Sequence, residues 1–291
     1  MSKPINLMLI GAVLISFSGV LVKIAEVPAS VSAFYRVFFG SIFLIIACLI
    51  RKEFKKRSLK SYFLSLLCGL TFAMDLWAWH RSILYVGPGL ATLLANFQVF
   101  LLTIFGWVVF KEKVGIKFII SLPMAFIGLI FIIDKDISAL ASQYTLGIFL
   151  GFATAVFYSI FLLLLRKIQA DKHDFSLFYY LMMVSAVSSI FIGGQVQFSG
   201  DSFNISDIKT LLALICLGFF IQCLAWVIIS NSLPRIRASL AGLLLLLQPT
   251  LSFVWDVIFF DRPTGITGWI GLIIVLLAIY IGMTDKGFDK K

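Results

Sequence analysis

The sequence predicts an all-α integral membrane protein: ten transmembrane helices, arranged as two inverted five-helix repeats. Three observations predict it. Charge is too sparse to coat a globular surface, ten apolar runs have membrane-crossing length, and the two halves resemble each other weakly.

Of the 291 residues, 61% are hydrophobic and 13% charged, with a mean hydropathy of +1.06. An ordinary globular domain is about a quarter charged, so a polytopic membrane protein is expected, with the lipid bilayer as its surroundings. Cys48, Cys68, Cys216 and Cys223 all fall inside apolar runs with no metal spacing. They read as small hydrophobes, so no disulfide, metal or other cofactor is expected.

A helix needs roughly 20 apolar residues to cross the hydrocarbon. The runs lie at about 5–22, 31–50, 62–83, 88–110, 117–133, 146–165, 176–194, 209–230, 238–260 and 266–283. None alternates as a barrel strand does. The first run, with Lys3 before it and "PASVSA" after it, has the outline of a signal peptide. Its match to a later helix makes it the first span.

With the N-terminus inside, the inner segments carry 18 basic residues and the outer ones 5, with Arg36 inside a span. The positive-inside rule then places both termini in the cytoplasm. The net charge of +10 is used on topology, and no nucleic-acid partner is needed to explain it.

A shift of 150 residues lays "LATLLANFQVF" (90–100) over "LAGLLLLLQPT" (240–250), pairing Gln98 with Gln248 and Phe110 with Phe260. A shift of 149 pairs Gly69 with Gly218 and Trp77 with Trp226; one of 140 pairs Gly11 with Gly151 and Phe17 with Phe157. The order is constant and the shifts change by loop-sized steps. The chain therefore reads as one transmembrane domain, 1–291, with repeats of about 1–138 and 139–291. Five spans is an odd number, so the second copy enters the membrane inverted, an arrangement that places a binding site near the midplane.

Ten spans, five-plus-five duplication and this length resemble the EamA-type branch of the drug/metabolite transporter superfamily. Arg36 in "SAFYRVFFGS" resembles the family pattern, as does the small-residue-rich fourth span ending in "VFKEK" with Glu112. The second half departs from it, with Arg262 in "FFDRPTG" at the position matching Glu112 and Asp261 one residue earlier. The resemblance implies export or exchange of small metabolites, often amino acids, across the cytoplasmic membrane; members also move nucleotide-linked compounds, S-adenosylmethionine or amphipathic drugs.

Charged side chains inside spans are costly and persist where a partner or cavity compensates. Arg36, Asp75 and Asp256 are such residues, all placed in the outer half. Arg36 and Asp75 are candidates either for a structural ion pair or for an outer gate and substrate clamp, Arg36 for a carboxylate and Asp75 for an amine. Asp256 is shallow enough to be solvated. At 100° per residue Thr71, Asp75, Trp79 and Ser82 share one face, while His80 and Arg81 point away toward the outer interface. Counted as one helix, span four puts Asn96 and Gln98 200° apart, so Gln98 faces the Ala91, Ala95 and Leu102 seam and Asn96 joins helices.

Gln98 and Gln248 are candidate midplane hydrogen-bonders. Gln248 precedes Pro249 and heads a stripe with Ser252 and Asp256. Matching stripes are Gly151, Thr154, Tyr158 and Gly218, Gln222, Trp226. Tyr158, Trp79 and Trp226 are candidate cavity walls. "YVGPG" (85–89) is expected to be a tight turn, not a phosphate loop.

The expectation is a secondary transporter for a small polar or zwitterionic metabolite, plausibly an amino acid, acting as a monomer or homodimer. A nucleoside-type cofactor or an amphipathic drug is the alternative cargo. An intramembrane enzyme lacks its parts: the two histidines are His80 and His173, with no HExxH or GxSxG.

Overall fold

The computed structural model describes residues 3–132, 144–171 and 176–285, with backbone alone at 87–89. Lys135, Lys172, His173, Lys286, Lys290 and Lys291 lie outside the described residues. Among the described residues there is no strand. Among these residues nine helices are long and apolar enough to cross a membrane: Lys3–Ala25, Ala29–Ile50, Leu59–Val86, Leu90–Val108, Tyr144–Ala170, Tyr179–Ser199, Ile208–Arg235, Ala238–Phe260 and Ile266–Met283. The shorter apolar helix Ile116–Ile132 is span five, completing ten.

Polar punctuation starts and stops these helices at recurring places. Ser58 caps the third span by accepting from Ser61 N at 3.1 Å, and Asp207 caps the eighth by accepting from Thr210 N at 2.8 Å. Those caps are 149 residues apart, the shift that pairs Gly69 with Gly218. Lys111 and Asp261, 150 apart, both take left-handed backbone, with φ of 54° and 47°, after spans four and nine. Spans five and ten then begin at Ile116 and Ile266, also 150 apart.

Contacts between helix ends fall into two sets. On the face where Lys3 and Met283 lie, Glu112 meets Ala238, Glu53 meets Phe178, and Asp285 meets Phe118. We call this the terminal face. On the opposite, distal face, Lys23 meets Asp256, Tyr35 meets Phe203, and Arg262 meets Ile132. This sorting follows if each successive helix crosses in the direction opposite to the last.

The chain stays helical through Leu59–Ala95, which includes 85–89, although Pro88 has no N–H to donate to the ladder. The helix is not straight there. A Cβ placed on Gly151 would lie 2.8 Å from Leu94 Cβ and 3.1 Å from Ser82 Oγ. Twelve residues of straight helix would separate those two by about 18 Å. The chain therefore reverses between Ser82 and Leu94, and spans three and four form a hairpin around span six.

Several spans are irregular at mid-depth. Span four turns at Asn96–Phe97 and span nine at Leu246, 150 residues after Asn96. Span one has a similar break at Phe17, and span eight relaxes into a π-helix over Leu217–Ala225. Irregular backbone at this depth persists only where protein or a cavity covers it. The turn also corrects the phase count in span four. Angles cannot be carried across Asn96–Phe97, and Asn96 and Gln98 are both buried.

The π-helix sits where span eight comes closest to span two. A Cβ on Gly40 would fall 2.3 Å from Gln222 Cγ, and one on Gly218 would fall 2.9 Å from Gly40 N. Two glycines let the backbones touch, as small residues do at membrane helix crossings.

Candidate functional site

The Gly40–Gly218 crossing brings Arg36 of span two against Gln222 of span eight. Arg36 Nε donates to Gln222 Oε1 at 3.1 Å, and Gln222 Nε2 donates to Ser185 Oγ at 3.0 Å. The guanidinium also lies over the Phe72 ring, 5.9 Å from its centroid. Arg36 thus has a neutral partner. Among the described residues no ion pair joins it to Asp75, contrary to the salt-bridge expectation. The reason is geometric: the close crossing with span eight offers Arg36 an amide oxygen first.

Asp75 is 7% exposed and makes no hydrogen bond or ion pair among the described residues. It stands within electrostatic reach of Arg36 and Tyr158, and His80 within reach of Arg36. Arg36 is seven residues into its helix and Asp75 eleven short of Val86. At ~1.5 Å per residue they lie about 10 and 16 Å below the distal helix ends. A buried, unpartnered carboxylate is costly. Beside it the terminal guanidinium nitrogens of Arg36 make no hydrogen bond to the described residues. The pair presents an acceptor and a fork of donors to whatever occupies the space between them.

Aromatic rings back this cluster. Phe72 and Phe161 meet at a 31° tilt with centroids 4.6 Å apart, and Trp226 meets both edge-on at 5.7 and 5.0 Å. Tyr158 packs on Phe161 and Trp226 at 5.9 and 6.3 Å. Trp226, at 2% exposure, lies buried against Tyr158, and its Nε1 has no partner among the described residues. It supports a wall but is not the wall surface. Trp79 and His80 are half-buried and meet edge to face at 5.1 Å. His80 Nδ1 contacts the Leu76 carbonyl at 2.6 Å, which fixes the Nδ1–H tautomer because a carbonyl only accepts.

The midplane glutamines differ. Gln98 is buried with Oε1 unpartnered among the described residues, and Ser159 Oγ donates to its backbone carbonyl at 3.5 Å. Gln248 is half-buried and forms no hydrogen bond among the described residues. Asn96 Nδ2 donates to the Thr92 carbonyl at 2.8 Å, within its own helix. Below Gln248, Ser252 Oγ donates to the Ser16 carbonyl at 2.9 Å, and Asp256 pairs with Lys23 at 2.7 Å and Arg262 at 3.8 Å. That stripe faces span one and ends in an ion-pair cluster on the distal face.

Sequence reasoning missed the terminal face. Glu112 is buried and accepts from Ala238 N at 2.7 Å, Ser239 N at 3.2 Å, Ser239 Oγ at 2.7 Å and Arg166 at 3.3 Å. Its carboxylate sits on the N-terminus of span nine, where the helix dipole favours negative charge. At the matching position 262 the arginine instead donates to the last carbonyl of span five, Ile132, at 3.3 Å. Each charge suits the helix end it meets, which accounts for the reversal from Glu112 to Arg262. Only the resemblance had singled out Glu112, without a partner.

Two clefts open away from the cluster. One of about 340 Å³ is lined by Trp107, Lys111, Glu112, Lys113 and Val114; the other, of about 300 Å³, is apolar and flanked by Phe97, Phe100 and Phe152. Neither is lined by Arg36 or Asp75.

The model of the EamA-like transporter family matches residues 2–134 and again 145–284, one match to each half. The chain belongs to the EamA-like transporter family. It is therefore a multi-pass membrane transporter. It is 22% identical over 270 residues to the uncharacterized transporter YvbV of Bacillus subtilis (strain 168), covering 92% of this chain and 86% of that one. It is 20% identical over 189 residues to an uncharacterized transporter of Clostridium kluyveri, covering 62% of this chain and 59% of the relative. A solved crystal structure superimposes with a TM-score of 0.79 at 17% identity, covering 97% of this chain and 99% of that one, and establishes likeness of fold.

Proposed function

We propose that this transporter carries a small zwitterionic metabolite of the amino-acid type across the cytoplasmic membrane by alternating access. The observation that carries the reading is the buried, unpartnered carboxylate of Asp75 beside an Arg36 engaged through Nε alone. Asp75 receives the amine and the free nitrogens of Arg36 receive the carboxylate. Tyr158 and Trp79 flank the solute, and Gln222 holds Arg36 in place. Gln98 and Gln248, at the breaks of spans four and nine, serve the passage toward the terminal face. The two halves act as inverted repeats, with the terminal face in the cytoplasm as the basic loops suggest.

A nucleoside-type cofactor is less well supported, because Phe72, Phe161 and Trp226 are packed on one another and offer no free face for stacking. The test is a thermal-shift screen of amino acids, amines and carboxylates, followed by uptake into proteoliposomes. Zwitterions should stabilise the protein more than either half-charge analogue. Equal or better stabilisation by a plain carboxylate or by an adenosine compound would defeat the assignment.

A further inference from the structure

The terminal face is closed by three contacts of one kind. Glu112 of the first half caps the start of span nine in the second. Glu53 of the first half accepts from Phe178 N at 3.2 Å, Tyr179 N at 3.4 Å and the Ser176 hydroxyl, at the start of span seven. Asp285 of the second half accepts from Phe118 N at 2.7 Å, in the first turn of span five. In every case a carboxylate from one half satisfies the orphan N–H groups of a helix in the other. Glu112 and Asp285 are buried. Charge-assisted hydrogen bonds of this sort are among the stronger polar contacts a protein makes.

The distal face is built differently. Its ion pairs are more exposed: Lys209–Glu26 at 64% and 72%, Lys23–Asp256 at 48% and 24%, and Arg262–Asp256 at 25% and 24%. Exposed pairs hold weakly. The Asp207 cap there belongs to its own helix, not to the other half.

We infer that Glu53, Glu112 and Asp285 are the gate of the terminal face, a set of positioning residues that hold the two halves together there and must let go together for the passage to open. Behind the Glu112 contact, Gly242 of span nine sits against Leu102 and Val99 of span four; a Cβ on Gly242 would meet Leu102 Cδ1 at 3.0 Å. Spans four and nine cannot part there while Glu112 holds the start of span nine. The inference concerns the halves' relative motion and does not depend on which solute is carried.

The test is hydrogen-exchange mass spectrometry on the full chain in lipid nanodiscs, comparing wild type with Glu112→Gln. Glutamine keeps the shape but loses the charge. The gate predicts that all three seams loosen together: peptides covering 116–122, 176–183 and 238–245 should exchange at least about threefold faster, while distal peptides over 253–262 stay unchanged. Glu112→Asp, which keeps the charge, should keep more protection than Glu112→Gln at all three. Asp285→Asn should give the same pattern from a different residue, which guards against a local folding defect at Glu112. Faster exchange confined to 238–245 would reduce Glu112 to a local cap and overturn the gate; equal loosening of both faces would also overturn it.

Discussion

Arg36 of span two and Gln222 of span eight are joined by a hydrogen bond of 3.1 Å across the closest helix crossing in the site. Gln222 in turn holds Ser185 of span seven, so one amide ties three helices and sets the direction of the guanidinium. Gln222→Leu is expected to leave the half-buried Arg36 Nε unsatisfied and cost about 1 kcal/mol of stability. Thermal unfolding in detergent measures the stability loss. Zwitterion affinity should fall as well, and Gln222→Glu should recover the orientation of Arg36 better than leucine does.

Among the described residues Asp75 has no hydrogen-bond or ion-pair partner, so it is a stability liability, and the proposed role in binding gives a reason to keep it. Asp75→Asn is expected to raise the melting temperature of the empty transporter, by an amount equivalent to about 1–3 kcal/mol, while abolishing uptake. Scanning calorimetry with a parallel uptake assay reads both signs. A destabilised variant would mean that Asp75 has a structural partner after all.

Gly40 has no room for a side chain, since its Cβ would lie 2.3 Å from Gln222 Cγ. Gly40→Leu should cost about 1–3 kcal/mol through overpacking and should displace Gln222 from Arg36. Gly19, whose Cβ would meet nothing within 4 Å, is the control; Gly19→Leu should change stability little. Chemical denaturation of both variants in mixed micelles separates the outcomes.

Asp207 precedes span eight, outside the membrane-spanning segment. The backbone hydrogen bond from Thr210 N, followed by the one from Ser206, holds its carboxyl below the usual carboxylate range. A depressed folded value means that the cap stabilises fully above the unfolded value of about 4 and is lost as pH falls through the folded value. Acidification should therefore fray Ile208–Cys216, seen as faster amide exchange there. Asp207→Asn, also a good cap, should remove that pH dependence.

Much of the architecture was readable because the bilayer constrains it: each span had to be apolar for long enough, and the helix ends had to carry polar or left-handed residues. The breaks at Asn96–Phe97 and Leu246 were not readable. They change hydrogen-bond register, and an apolar window looks the same on either side of such a change. Helical phase therefore served in span three, where Asp75 and Trp79 lie on an unbroken helix, and failed across Asn96. The charges were visible but not their partners. Whether Arg36 meets Asp75 or Gln222 depends on how closely Gly40 and Gly218 let two helices approach. The contacts of Glu112 lie 54 to 127 residues away, on the other half, beyond the reach of any local pattern.

The charge reversal between Glu112 and Arg262 has a consequence for the carrier's working cycle. Two copies of one skeleton carry unequal clasps, Glu112 buried at the terminal face and Arg262 half-buried at the distal face. On the proposed gate, an empty carrier built this way would wait open to one compartment, and a single unclasping step would set the pace of its return. Around a closed cycle such a bias cancels, so it leaves the final distribution of an uncoupled solute untouched. What it governs is which compartment is sampled first, and how long the carrier stays there.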